Sequence, residues 1–158
     1  MHQDHSGTSH RGHAYPRLLA MTVLSFIAMY VLMYAMVDKF ADVYLNWNQA
    51  YMAALMTAPM VAFELFLMRG MYPSRMLNGI VLAATLVLLA LSWFAIRQQW
   101  GIGDRQFLRS MVPHHSGAIL MCREAAIDDP EIKTLCETIM ASQQREIDQM
   151  NQMLSAPN

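Results

Sequence analysis

Charge is scarce in this chain. Charged side chains make up 15% of the 158 residues, against 55% hydrophobic, a low charged share for a soluble domain. The formal net charge of −1 leaves no basic field for nucleic acid, and no Gly-rich phosphate loop occurs. Polar interruptions are equally scarce over two long stretches. Residues 18–37, LLAMTVLSFIAMYVLMYAMV, and residues 76–96, MLNGIVLAATLVLLALSWFAI, contain no formal charge. Each is long enough, as a helix, to cross a hydrocarbon layer of about 30 Å. A soluble cytosolic enzyme is thereby excluded.

What remains sorts along the chain. Residues 1–17 read as a mobile, His-rich tail, with four of the six His before residue 14 at spacings that define no preformed site. Imidazoles there suit nickel, zinc or copper. The first apolar run is too long for a signal-peptide core, and no A-x-A cleavage pattern follows, so it should remain as an anchor. Residues 38–48, DKFADVYLNWN, read as a short polar connection with aromatics suited to a membrane interface. Residues 49–68 are a second span, interrupted by Pro59 and Glu64, so that 18–100 forms a three-helix transmembrane region. Residues 101–158 differ in composition and hold more than half of the formal charges. Arg and Lys tie at four on either side of the spans, but the short 69–75 turn has two Arg and no acid. That bias places the N-terminus in the cytoplasm and residues 101–158 outside, in the periplasm for a bacterial inner membrane.

The outer segment reads as two helices, about 104–127 and 130–154. Asp104 and Asp129 serve as N-caps and Pro130 opens the second helix. The link permits only an antiparallel hairpin. Steps of three and four select Leu108, Met111, His115, Ala118, Cys122 and Ala125 in the first helix. In the second they select Ile132, Cys136, Ile139, Gln143, Glu146, Met150 and Met153. Facing pairs keep a constant index sum, as coiled-coil-like packing requires. Cys122 then faces Cys136, leaving three readings: a disulfide, a thiolate pair on a soft metal, or two inert buried thiols. His115, Gln143 and Glu146 put polar groups where an apolar seam belongs, bracketed by Met111 and Met150, with His114 adjacent. Such a cluster needs mutual hydrogen bonds or a ligand. Imidazole, thioether and carboxylate together suit a transition metal, and thioether favours Cu(I). A purely structural His–Glu pair at a dimer interface is the alternative.

These residues resemble a bacterial domain-of-unknown-function family with the signature M-[IV]-x-H-H, an acidic-Pro link and Q-x-x-E-I-x-x-M. Here the signature reads Met111-Val112-Pro113-His114-His115, Asp128-Asp129-Pro130-Glu131, and Gln143 through Met150. The stretches YVLMYAMVDKF and QAYMA resemble its membrane-anchored branch. The resemblance implies a ferritin-like helical fold and, for some members, periplasmic copper binding, with Met111, His114, His115, Met150 and Glu146 as metal ligands. The Glu-x-x-His motif of di-iron bundles is missing, so no oxidase chemistry is expected. One hairpin is half a four-helix unit, and a second copy or the membrane helices would supply the rest.

The spans add Met52, Met56, Met60, Glu64 and Met68 at four-residue steps, and Met29-x-x-x-Met33. An intramembrane carboxylate among thioethers is a candidate polar site, centred on Glu64, Met56 and Met60. Three spans, a His-rich tail and Met-x-x-x-Met also resemble Ctr-type copper channels, although Gly79-x-x-x-Ala83 is a poor packing stripe and the tail side is reversed. The sequence therefore leads to an all-α, non-enzymatic membrane protein, in which a ferritin-like half-bundle hairpin follows three transmembrane helices. It would bind copper or silver for sequestration or handover, with membrane lipid, further copies of itself and a metal donor or acceptor protein as partners. A copper-permeating oligomer and a structural subunit associating through the hairpin are the alternatives.

Overall fold

The computed structural model describes residues 14–156, which form helices and turns and, among the described residues, no strand. Five α-helices follow in order: α1 Ala14–Leu32, α2 Trp47–Leu67, α3 Arg75–Gln98, α4 Asp104–Glu124 and α5 Pro130–Ser155. Short 3-10 turns at Met33–Met36 and Phe40–Asp42 lie between α1 and α2. The chain divides into two compact units. One takes Ala50–Trp100 with the described part of Met1–Val31, and the other takes Leu32–Gln49 with Gly101–Asn158.

The first unit contains three helices long and apolar enough to cross a membrane. Their outer faces expose Leu19, Leu24, Phe66 and Leu86, as helices that are apolar all round must when lipid is their solvent. Inside, Ala14, Leu18, Val61, Leu65 and Tyr72 cluster. Helix α1 starts at least four residues before the expected residue 18, because Ala14 and Leu18 are both core positions and Tyr15 is anchored. The Tyr15 hydroxyl donates to Asn78 Oδ1 at 2.9 Å and accepts the Ser74 N–H at 3.1 Å. The remaining part of the tail, with its four His, lies outside the described residues. The second span expected at 49–68 is one helix, α2, which continues through Pro59 and Glu64. Ser74 caps α3 by accepting the Leu77 N–H at 3.2 Å. The helix ends where Gln99 turns left-handed, at φ 51°, followed by Gly101 at φ 66°.

The second unit is built on the expected antiparallel hairpin. Gly103, rather than Asp104, is the N-cap of α4, which puts the Asp104 carboxylate in the first turn, where it favours the helix dipole. Helix α4 stops at Glu124, three residues short of expectation, because Ala125 is extended. Asp129 caps α5 by accepting the Glu131 and Ile132 N–H groups at 2.8 and 3.2 Å, with Pro130 at the first helical position. The core consists of Val112, Ile119, Ile147 and Met150, against which Leu108, Met111, Met140, Leu154 and Tyr44 pack.

That core differs from the expected seam. Helix α4 buries two faces: Val112 and Ile119 meet Ile147 and Met150 of α5, while the buried Ser116 and Gly117 face the segment between α1 and α2. Besides connecting α1 and α2, that segment packs its two 3-10 turns against α4. At the ends of the hairpin the seam frays, with Ile132 and Met153 about half exposed.

Candidate metal centre

Two helices bring an imidazole and a carboxylate together. His115 Nδ1 on α4 lies 3.0 Å from Glu146 Oε2 on α5, with His115 nearly buried and Glu146 half exposed, at 12% and 50% side-chain exposure. Despite that proximity, His115 Nδ1 is buried with no hydrogen-bond partner. The distance is that of an ion pair, but the direction does not meet the ring N–H, so the contact supplies charge proximity and no aligned hydrogen bond. Burial lowers the His115 pKa below its ordinary value. The Glu146 carboxylate, next in weight, pulls it up, and His114 pushes it down. A neutral imidazole near neutral pH offers the lone pair a metal ion requires.

The other expected ligands are distributed around this pair. Met150 is buried in the hairpin core and Met111 packs against the same cluster, so both thioethers serve as apolar filler in this arrangement. His114 is exposed, its ring centre 6.2 Å from that of His115. Gln143 is partly buried, but the carboxylate that reaches His115 comes from Glu146, about one turn along α5 from that register position. Cys122 and Cys136 form a disulfide, with Cα atoms 5.3 Å apart. Among the described residues, no three His, Cys, Asp or Glu side chains converge on one point.

Sequence reasoning missed the polar clasp on the opposite face of α4. The Ser116 hydroxyl, fully buried, donates to Asp42 Oδ2 at 2.7 Å and accepts the Asp38 backbone N–H at 3.0 Å. Arg123 forks onto Asp38, Nη1 to Oδ1 at 2.5 Å and Nη2 to Oδ2 at 3.0 Å. A Cβ on Gly117 would lie 3.2 Å from the Met36 carbonyl oxygen, so the missing side chain lets the turn approach. The small pair Ser116-Gly117 inside a helix was the available signal, because it breaks the polar–apolar period without a charge.

In the first unit, Glu64 accepts a 2.6 Å hydrogen bond from the Tyr72 hydroxyl. Burial, then this bond and the carboxylate charge, push the Tyr72 pKa up to about 12. Met56 points outward, 44% exposed, and Met60 is partly buried.

The family model described as "Domain of unknown function (DUF305)" matches residues 96–154. A protein of Acanthamoeba polyphaga mimivirus, described as "Uncharacterized protein L153", is 36% identical over 140 residues, covering 87% of this chain and 90% of that protein. The likeness thus runs through the apolar helices as well as the hairpin. No solved structure matches the chain.

Proposed function

We propose, for a chain that belongs to the DUF305 family, a non-enzymatic role in copper sequestration or handover from a membrane anchor. The hairpin would lie in the periplasm of a bacterial cell and the N-terminus in the cytoplasm, as the Arg-rich 69–75 turn favours. Cu(I) is the preferred cargo, silver(I) an analogous one, and a donor or acceptor protein would exchange it.

The observation that carries this reading is the buried, unpartnered Nδ1 of His115 beside Glu146. A buried polar atom without a partner is costly, and a bound cation would remove that cost. The donor set fits a soft monovalent ion: one neutral imidazole with the thioethers of Met111 and Met150 on the same pair of helices. His114 and Glu146 are available as outer donors. Because the thiols are joined in a disulfide, Cys122 and Cys136 are not counted among the ligands. Met121, Ile132 and Leu135 are about half exposed on the hairpin, which supports association with a second copy.

The test uses the full-length protein in detergent, since residues 32–49 belong to the hairpin's own fold. Cu(I) is titrated in competition with a chromophoric chelator. His115→Ala should weaken binding at least tenfold. Met111→Leu and Met150→Leu, which conserve volume, should weaken it without unfolding the hairpin. Equal affinity in all four proteins would remove the proposal.

A further inference from the structure

The three spanning helices leave an apolar groove of about 280 Å³ between them. One threonine from each helix lines it: Thr22, Thr57 and Thr85. Each hydroxyl donates to the carbonyl four residues earlier, on Leu18, Ala53 and Val81, at 2.8 Å in every case. With the hydroxyl hydrogens engaged inside their own helices, the groove favours an apolar occupant.

Its dimensions select among apolar occupants. Along α3 the lining runs from Ile80 to Leu88, about 12 Å at about 1.5 Å per residue. A helix of that length, about 10–12 Å across with its side chains, occupies on the order of 1,000 Å³, more than the groove holds, so a helix from a second copy is too bulky to be enclosed. A single hydrocarbon chain, whose carbons keep about 4 Å from their neighbours, fits.

Charge at one end identifies the rest of the molecule. Tyr15 and Ile80 lie at the end where α1 and α3 begin and α2 finishes. That end also bears Arg17, Arg69 and Arg75, all exposed. The nearby acid in sequence, Glu64, is engaged by the Tyr72 hydroxyl. We propose that the groove holds one acyl chain of an anionic phospholipid, whose phosphate sits at Arg17 and Arg75. Guanidinium groups suit a phosphate through paired N–H donors, and the apolar chain replaces a void that would otherwise lack contacts.

The full-length protein is equilibrated in detergent with equal amounts of phosphatidylglycerol and phosphatidylcholine carrying the same acyl chains, then examined by native mass spectrometry. One phosphatidylglycerol per chain should be retained in severalfold preference. Arg17→Gln with Arg75→Gln should abolish the preference, and Arg17→Lys with Arg75→Lys should keep part of it. Ala84→Phe, at a position already facing the groove, should cut retention of both lipids severalfold. Equal retention of the two lipids by the unmodified protein, an unchanged preference in the Gln pair, or full retention in a helical Ala84→Phe protein would each overturn the proposal. The Arg pair is exposed, so those variants keep the test decisive if circular dichroism shows Ala84→Phe to be unfolded.

Discussion

Ser116 and Asp42 are joined by a 2.7 Å hydrogen bond across 74 residues of sequence, and both are buried. Through this bond the linking segment becomes part of the hairpin's core. It explains why about 55 residues of hairpin, a small number for an independent fold, have a second buried face to offer.

Removing the hydroxyl should therefore cost more than a surface change. Ser116→Ala leaves a buried carboxylate oxygen and the Asp38 N–H without a partner, an expected loss of about 1–3 kcal/mol. Thermal unfolding of the full-length protein in detergent measures it. Arg123→Gln should cost at least as much, because the guanidinium, although half exposed, is the charge partner of Asp38, whose side chain is only 1% exposed.

Gly117 gives a steric counterpart. Alanine should gain up to about 1 kcal/mol of helix propensity while pressing on the Met36 carbonyl, leaving stability close to unchanged. Gly117→Val adds two further methyl groups at the same place and should displace the turn, with a markedly lower melting temperature.

The disulfide closes a loop with a sequence separation of 14, worth about 3 kcal/mol in the chain-entropy account. Cys122→Ser with Cys136→Ser should lower the melting temperature accordingly. On the proposed copper reading, in which thioethers and not thiols supply the sulfur, copper affinity should stay the same. A parallel loss of copper binding with the hairpin still folded would assign the cysteines a ligand role.

The lowered pKa of His115 has a defined consequence for pH. Above about pH 6.5, the unfolded value, both folded and unfolded forms carry a neutral imidazole. As the pH falls below that point the unfolded chain takes up the proton first, so the metal-free hairpin loses stability until the folded imidazole titrates too. Melting temperatures from about pH 7 to about pH 5 should fall more steeply for the unmodified protein than for His115→Gln.

Much of this fold was legible because each visible feature repeats. Uncharged runs of about twenty residues identify helices long and apolar enough to cross a membrane, and a constant index sum along two helices with a short link predicts the pairing of Cys122 with Cys136. The pairing of His115 with Glu146 was legible only to within a turn, because long side chains reach along the helix from their register positions. The linking segment has no period at all. Asp38 and Asp42 belong to a stretch that reads as a polar connection, and their carboxylates are engaged by Arg123 and Ser116, partners that only the folded chain brings near.

The copper account is tested most directly by X-ray absorption at the copper edge of the Cu(I)-loaded full-length protein. The expected spectrum has a mixed shell of one imidazole nitrogen and thioether sulfur, with the nitrogen contribution lost in His115→Ala and the sulfur reduced in Met150→Leu. A shell of oxygen and nitrogen alone, or one unaltered by either substitution, would contradict it.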